Sequence, residues 1–560
     1  MVYFTQPYSI GLHGLTMRCC FASLIIFYCL LQPALAQVED AYLRGKSGIL
    51  PSGQGPSAED LKKSSESANN WLYHTHNYAG TRYSPLIQIT RHNISALRPI
   101  CIAQLGGESD FQSGPIVYDG VIYLTSGRDT IAVNAEDCRI KWRNTWQEKN
   151  QGVTLLSTTN RGVAIQDGYV VRGTSDGYLL ALDAFNGELL WARRVAAPED
   201  GEHFTMAPMI YDGTILIGPA GGDNGVSGWL GAFSLLGGEP LWRFDTVPGG
   251  KNSLGVKVGG GAIWTPLSLD IENESVYVAV TNPAPDFAAA LNAGNNLYTN
   301  SVVSLDVKTG RLNWYKQLLP DDDHGWDLTQ VSPLFSTENN NHIQKLLATT
   351  GKDGKLRVLD RESHEQIYMS SVTLQLNTDE PVTLGGTYTC PGVLGGVLWN
   401  GPALEPNEGL LITPAANLCS TFYRSQEVRY IEGRDYYDGS AVSDPSTLSG
   451  WLTAVDMRTG EIRWKYETAL PMLAAVTTTA GGLVLSGQMD GDFIVLDSAD
   501  GSLLYRFNTG GAIGGGVVSY GVDGRQYFAV ASGSPSEHQV NGDMGAPTLV
   551  VFGLPSDEAF

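Results

Sequence analysis

Positive charge is scarce in this chain. Lys plus Arg number 36 against 58 Asp plus Glu, which leaves a formal charge of −22 over 560 residues. Charged residues make up 17%, below the roughly 25% of an ordinary soluble domain. So negative a surface repels phosphates and argues against nucleic acid as a partner. No C-x-x-C-H motif occurs, so a covalent c-type haem is not expected. After residue 36 no apolar run approaches the ~20 residues that cross a bilayer, and no stable membrane insertion is expected. Disorder is excluded too, because 42% of the residues are hydrophobic and can bury a large core. The 66 Gly, 12 Trp and 25 Tyr suit a protein of many tight turns and short strands.

Met17–Ala36 reads MRCCFASLIIFYCLLQPALA. Arg18, the apolar stretch Phe21–Leu31 and the Ala34-Leu35-Ala36 site form an export signal cleaved after Ala36. Residues 1–16 are an upstream extension, and Gln37–Asn70, rich in Ser, Gly and Lys, reads as a loosely packed lead-in. The signal removes Cys19, Cys20 and Cys29. Cys101, Cys138, Cys390 and Cys419 remain, an even number for an oxidising compartment. Of their three possible pairings, Cys101–Cys138 and Cys390–Cys419 each close a local loop and are favoured.

Internal repetition is the strongest signal. Ala181–Trp191 (ALDAFNGELLW), Ser304–Trp314 (SLDVKTGRLNW) and Ala454–Trp464 (AVDMRTGEIRW) fit one template, A-x-D-x-x-T-G-x-x-x-W. Weaker copies end at Trp142, Trp242, Tyr368 and Tyr505, making seven. An alternating strand with a D-G or similar turn precedes each copy. The Asp side chain and a positive-φ Gly close the turn between two strands. The terminal Trp is a flat apolar group that can dock between one sheet and the next. The spacing is that of β-propeller blades, ~40–50 residues. The longer gaps after Trp242 and Tyr368 imply insertions. An eighth blade combines the segment near Leu97–Gln104 with Thr548–Leu554, which would bury two sheet edges. The fold class expected is all-β, an eight-bladed propeller over residues 71–560 with tryptophan-docking repeats.

Several motifs, in order, resemble the quinoprotein alcohol dehydrogenases, propellers that hold pyrroloquinoline quinone (PQQ) and a divalent cation at the hub. They are Arg82-Tyr83-Ser84-Pro85-Leu86, Asn160-Arg161-Gly162-Val163-Ala164, Gly221-Gly222-Asp223-Asn224-Gly225-Val226, Thr281-Asn282-Pro283-Ala284-Pro285, Trp326-Asp327, Gly351-Lys352-Asp353-Gly354 and Val358-Leu359-Asp360-Arg361. The resemblance covers Trp71 to Pro555.

It implies that Asp223, Asn282 and Asp327 surround the ion. Oxygen-only ligation suits a hard cation such as Ca²⁺. Relatives that use a lanthanide carry another acid two positions after the catalytic Asp; Thr329 stands there, so calcium is favoured. It implies that Arg161 holds a quinone carboxylate in a bidentate fork, with Thr205 and the Gly221-Gly222 backbone as further donors. Trp264 matches the floor tryptophan on which the ring stacks. Gln112 stands where many relatives have Glu, and Lys352 matches a cation near the quinone oxygens. Leu155-Leu156 replace the adjacent-cysteine disulfide that covers the other face in many relatives. Ala531–Gly542 lacks their C-terminal tryptophan, so the substrate mouth is expected to be wider.

The expected chemistry is oxidation of an alcohol, with Asp327 as general base, the cation as Lewis acid and Lys352 stabilising charge on the reduced quinone. The resemblance and the −22 charge imply a separate, soluble, exported cytochrome c as electron acceptor, in the periplasm. A non-enzymatic exported propeller that binds partners on one face is the competing class. It explains the repeats and the signal but not the ordered site motifs.

Overall fold

The computed structural model describes residues 42–43, 50–107, 110–149, 157–249, 257–288, 296–339, 342–432, 434–533 and 545–555. The export signal, Leu155-Leu156 and most of Ala531–Gly542 lie outside the described residues. The chain divides into Met1–Leu43 and Arg44–Phe560. Of the first unit only the two-residue strand Tyr42–Leu43 is described; all other described residues belong to the second.

Among the described residues, the second unit contains eight sheets of at least four strands and one ribbon pairing Gly259–Gly260 with Pro283–Ala284. The sheets follow the chain. One runs Ile116–Tyr118, Val121–Ser126, Asp129–Asn134, Ile140–Thr145, each strand antiparallel to the last. Its first turn is Asp119-Gly120, with φ of 47° and 70°. Positive φ at both central residues matches the right-handed twist of the flanking strands. Inner strands are buried on both faces, as in Tyr178–Asp183. Outer strands alternate, as in Leu312–Gln317.

The repeat has a precise structural meaning. Five of the seven terminal aromatics donate to one carbonyl in the following repeat, that of the residue after the one at the template Asp position. Trp142 Nε1 donates to Ala184 O (3.0 Å), Trp191 to Leu235 O (3.0 Å), Trp242 to Val307 O (3.1 Å) and Trp464 to Ser498 O (3.0 Å). Tyr368 Oη makes the same bond to Met457 O (3.0 Å). Asp306 Oδ1 accepts from Lys308 N and Thr309 N and so closes its turn. The template Gly serves a second purpose besides its positive φ. A Cβ on Gly310 would stand 2.3 Å from Trp242 Cε3, and one on Gly187 would stand 2.5 Å from Trp142 Cε3. The indole of one repeat therefore lies flat on the glycine of the next. His364 replaces that glycine once, and Trp314 stacks on it at 4.3 Å.

The last sheet joins the two ends of this series. Arg98–Gln104 pairs antiparallel with Thr548–Gly553, as the sequence leads one to expect. Tyr520 Oη from this sheet donates to Ala135 O of the first sheet (2.6 Å), and the Cys101–Cys138 disulfide ties the same two sheets. The second expected disulfide, Cys390–Cys419, is also present. It ties the end of the strand Thr387–Thr389 to the first strand of a long hairpin, Leu410–Arg424 with Gly439–Asp456, in the insertion implied by the gap after Tyr368. From Leu50 onward the lead-in is held more closely than its composition implies. Ser57 caps the short helix Ala58–Lys62 in a capping box, Leu61 is fully buried, and Ser52 N and Oγ bond Asp183 Oδ2.

Candidate cofactor and metal site

One half of the site is a buried guanidinium between indoles. Arg161 follows Asn160 in the connection to Ala164–Gln166, and its backbone is fixed by Arg161 N–H donating to Thr205 O (2.9 Å) while Gly114 N donates to Arg161 O (2.9 Å). Its Cζ lies 4.8 Å from the Trp264 ring centroid and 5.9 Å from that of Trp399. Nη2 donates to Gln112 Oε1 (2.9 Å) and Nη1 to Trp264 O (3.4 Å). Burial pushes the guanidinium down to about 9, partly opposed by Asp110, so it stays charged at neutral pH. Nε of Arg161 and Oγ1 of Thr205 are buried with no hydrogen-bond partner.

The other half is a carboxylate cluster around one lysine. Lys352 Nζ lies 2.8 Å from Asp327 Oδ2. Asn282 N donates to Asp327 Oδ1 (3.4 Å), and Asn282 Nδ2 turns back to Pro283 O (3.1 Å). Lys352 N donates to Asp327 O (2.9 Å), which locks the two backbones together. Burial alone would lower the Lys352 pKa, but the Asp327, Asp223 and Asp286 carboxylates outweigh it and raise it. Beneath it, buried Asp353 pairs with Arg357. Asp223 sits exposed in the Gly222–Asn224 turn, and its carbonyl accepts from Tyr436 N (2.7 Å). The two halves are neighbours, since Thr281 N donates to the carbonyl of Ala262, two residues before Trp264 (3.3 Å). Gly221 stands at φ 105°, where a Cβ would lie 2.2 Å from Gly201 O, and a Cβ on Gly222 would lie 3.2 Å from that of Ala262.

These residues fit a flat polycarboxylate. Orphaned donors on Arg161 and Thr205 beside a partly exposed indole are what a carboxylate-bearing ring would complete. The oxygen donors Asp223, Asn282 and Asp327 suit a hard cation. Among the described residues no three His, Cys, Asp or Glu side chains gather at metal-binding distance by themselves, so an ion here needs the Asn282 amide and a further ligand.

Besides Trp399, two residues at the site were not anticipated. Asp286 is 4% exposed and its Oδ1 has no hydrogen-bond partner. Burial, then Asp223 and Asp327, push its pKa well up, with Lys352 opposing. Tyr437 stacks on Phe287 at 6.0 Å, and its carbonyl accepts from Phe287 N (2.9 Å). Asp286 was visible in the sequence as the acid directly after the Asn-Pro-Ala-Pro run. Tyr437 reaches the site only because the long hairpin folds back, which no local pattern signals.

A family model described as the glucose/ethanol/alcohol dehydrogenase β-propeller domain matches residues 71–371. One described as outer membrane protein assembly factor BamB matches residues 448–542. Quinoprotein alcohol dehydrogenase PedH of Pseudomonas putida is 29% identical over 505 residues, covering 81% of this chain and 84% of that protein. A lanthanide-dependent methanol dehydrogenase of Methylacidiphilum fumariolicum is 28% identical over 583 residues, covering 94% and 93%. The solved structure of a europium-containing methanol dehydrogenase superposes with a TM-score of 0.80 at 25% identity, covering 89% of this chain and all of that one. The family model and the fold together define a β-propeller of the quinoprotein class. The chain belongs to the PQQ-dependent alcohol dehydrogenase family.

Proposed function

We propose that this chain is an exported, eight-bladed propeller dehydrogenase that oxidises an alcohol to an aldehyde or ketone, with PQQ and Ca²⁺ at its hub. The observation that carries this is the juxtaposition of Asp327, Lys352 and Asn282 with the orphaned donors of Arg161 and Thr205. Family membership says the chain is a dehydrogenase of alcohols; these residues say which groups would act.

Arg161, Thr205 and the Gly221-Gly222 backbone would hold the quinone rim, Gln112 orienting Arg161, and Trp264 would support its face. Asp223, Asn282 and Asp327 would hold the ion. When bound, the quinone supplies the two-electron acceptor for the hydride of the carbinol carbon. Asp327 accepts the hydroxyl proton at a carboxylate oxygen, and must be within hydrogen-bond reach of it. Lys352 places positive charge beside Asp327, where negative charge develops. Calcium is favoured because Thr329 stands where lanthanide users carry an acid; the lanthanide and europium relatives make both ions worth loading. The A-x-A signal and the two disulfides support export. The −22 charge supports a basic cytochrome c as acceptor, steered by a field that salt weakens.

The test is dye-linked oxidation of an alcohol panel by protein loaded with PQQ and either Ca²⁺ or La³⁺, with Asp327→Asn as control. Turnover that depends on quinone and ion, and that falls at least ~10²-fold in the variant, supports the reading. No turnover with either ion, or full activity in Asp327→Asn, contradicts it.

A further inference from the structure

The backbone of Asp327 is fixed by the sheet on one side and by a single carboxylate on the other. After Asp327 the chain enters the strand Leu328–Gln330, where Leu328 pairs with Gly351. Before it, residues 318–327 have no strand partner among the described residues. Asp322 takes over there. Its Oδ1 accepts from His324 N (3.2 Å) and its Oδ2 from Trp326 N (3.0 Å). Asp306 makes a similar pair of bonds at an exposed repeat turn, but to the second and third residues after it. Asp322 reaches the fourth, which directly precedes Asp327, and it is 7% exposed. Burying a carboxylate is unfavourable unless its oxygens are bonded, and these two amides are the donors that bond it.

The loop so tied is packed closely. The Trp326 ring stacks on His324 at 4.3 Å and 13°. His324 Nδ1 lies 2.9 Å from Asp323 Oδ1, and its Nε2 lies 3.4 Å from Thr389 Oγ1 in the insertion. Gly325 passes so near Asp286 that a Cβ on it would stand 3.1 Å from Asp286 Oδ2. A general base must lie within hydrogen-bond reach of the proton it takes, and a misplacement of about 1 Å can cost on the order of 10²-fold in rate. The clamped Trp326 amide is one residue from that base. We propose that Asp322 is a positioning residue: by holding the amides of His324 and Trp326 it sets Asp327 within reach of the substrate hydroxyl, without itself touching substrate or quinone. This rests on the dehydrogenase reading above.

The experiment uses protein loaded with PQQ and the active ion, as the parent, Asp322→Asn and Asp322→Ala. The Asn side chain keeps one acceptor oxygen and can serve only one of the two amides well. Ethanol, 1-butanol, 2-propanol and benzyl alcohol are each mixed with the loaded protein, and reduction of the bound quinone is followed by absorption in a single turnover. The rate constant then reports the folded, loaded molecules, and the amplitude reports how many there are. Expected in Asp322→Ala is a rate constant at least ~10-fold lower at parental amplitude, with steady-state KM within about twofold of the parent. Asp322→Asn should fall between the two. Quinone half-saturation, read by quenching of tryptophan fluorescence, should match in all three. A parental rate constant in Asp322→Ala, or a loss of amplitude alone, overturns the proposal and leaves the dehydrogenase reading standing. Quinone affinity at least ~10-fold weaker in Asp322→Ala also overturns it, since Asp322 would then shape the quinone pocket. Should Asp322→Ala not fold, Asp322→Asn decides: a lowered rate constant at parental amplitude supports the proposal and a parental one overturns it. No quinone reduction by any alcohol in the parent overturns both.

Discussion

Lys352 Nζ lies 2.8 Å from Asp327 Oδ2, and the same two residues are tied through their backbones by Lys352 N–H donating to Asp327 O. The proposed base and the proposed electrostatic partner are therefore one unit, set by the pairing of Leu328 with Gly351 in neighbouring strands. The Asp327, Asp223 and Asp286 carboxylates raise the Lys352 pKa against the opposing effect of burial.

Removing that cation leaves buried carboxylates facing each other. Lys352→Gln should cost about 3–5 kcal/mol, the usual result of breaking one side of a buried pair. A bound divalent ion offsets the same charges. Ca²⁺ should therefore raise the thermal midpoint more in Lys352→Gln than in the parent, read by calorimetry with and without chelator.

Arg161 supplies the anion-binding end. Arg161→Met should keep the fold, because the guanidinium already carries a desolvation cost and an unpaired Nε. It should lose quinone affinity by a factor of at least ~10, the weight of one charge-assisted hydrogen bond. Fluorescence quenching of Trp264 and Trp399 on quinone titration checks this against an unchanged midpoint of the unloaded protein.

The Trp–Gly contact between repeats is a stability element. Trp191 is 2% exposed, and Trp191→Ala should cost about 3–5 kcal/mol. Gly310→Val should also destabilise, since it strains a φ of 68° and pushes a side chain into Trp242. Chemical denaturation of each variant measures both.

Stability should rise on mild acidification through Asp322. Burial pushes its carboxyl up to about 7, against the lowering influence of His324 and of backbone N–H donors from His324 and Trp326. Its folded pKa lies above its unfolded value. The stability it contributes is thus complete below about 4 and is lost as pH rises through 7. The parent should gain at most about 1.4 kcal/mol per pH unit from this group between pH 7 and 5. Asp322→Asn should remove that share of the slope in denaturation curves taken across the range.

Much of the scaffold was legible because it repeats. The template put Trp142, Trp191, Trp242 and Trp464 at equivalent positions, and each makes the same bond. Both disulfides were legible because each closes a short loop. The pairing of Arg98–Gln104 with Thr548–Gly553 followed from edge strands needing partners. The meeting of Asn282, Asp327 and Lys352 was legible only through ordered motifs, because 70 residues separate the first from the last. Tyr437 was not legible, since its position depends on how a long hairpin bends back over Asp223 and Phe287. The closely held lead-in was missed because Leu61 is one apolar residue in a polar segment, and its burial depends on sheets far along the chain.

The most direct measurement is titration of PQQ into purified, Ca²⁺-supplied protein, followed by calorimetry and the quinone absorption band. Expected is one quinone per chain, bound only with the ion present, and bound at least ~10-fold more weakly in Arg161→Met. Absence of binding in the parent, or binding of equal strength in Arg161→Met, would contradict a quinone held at this hub.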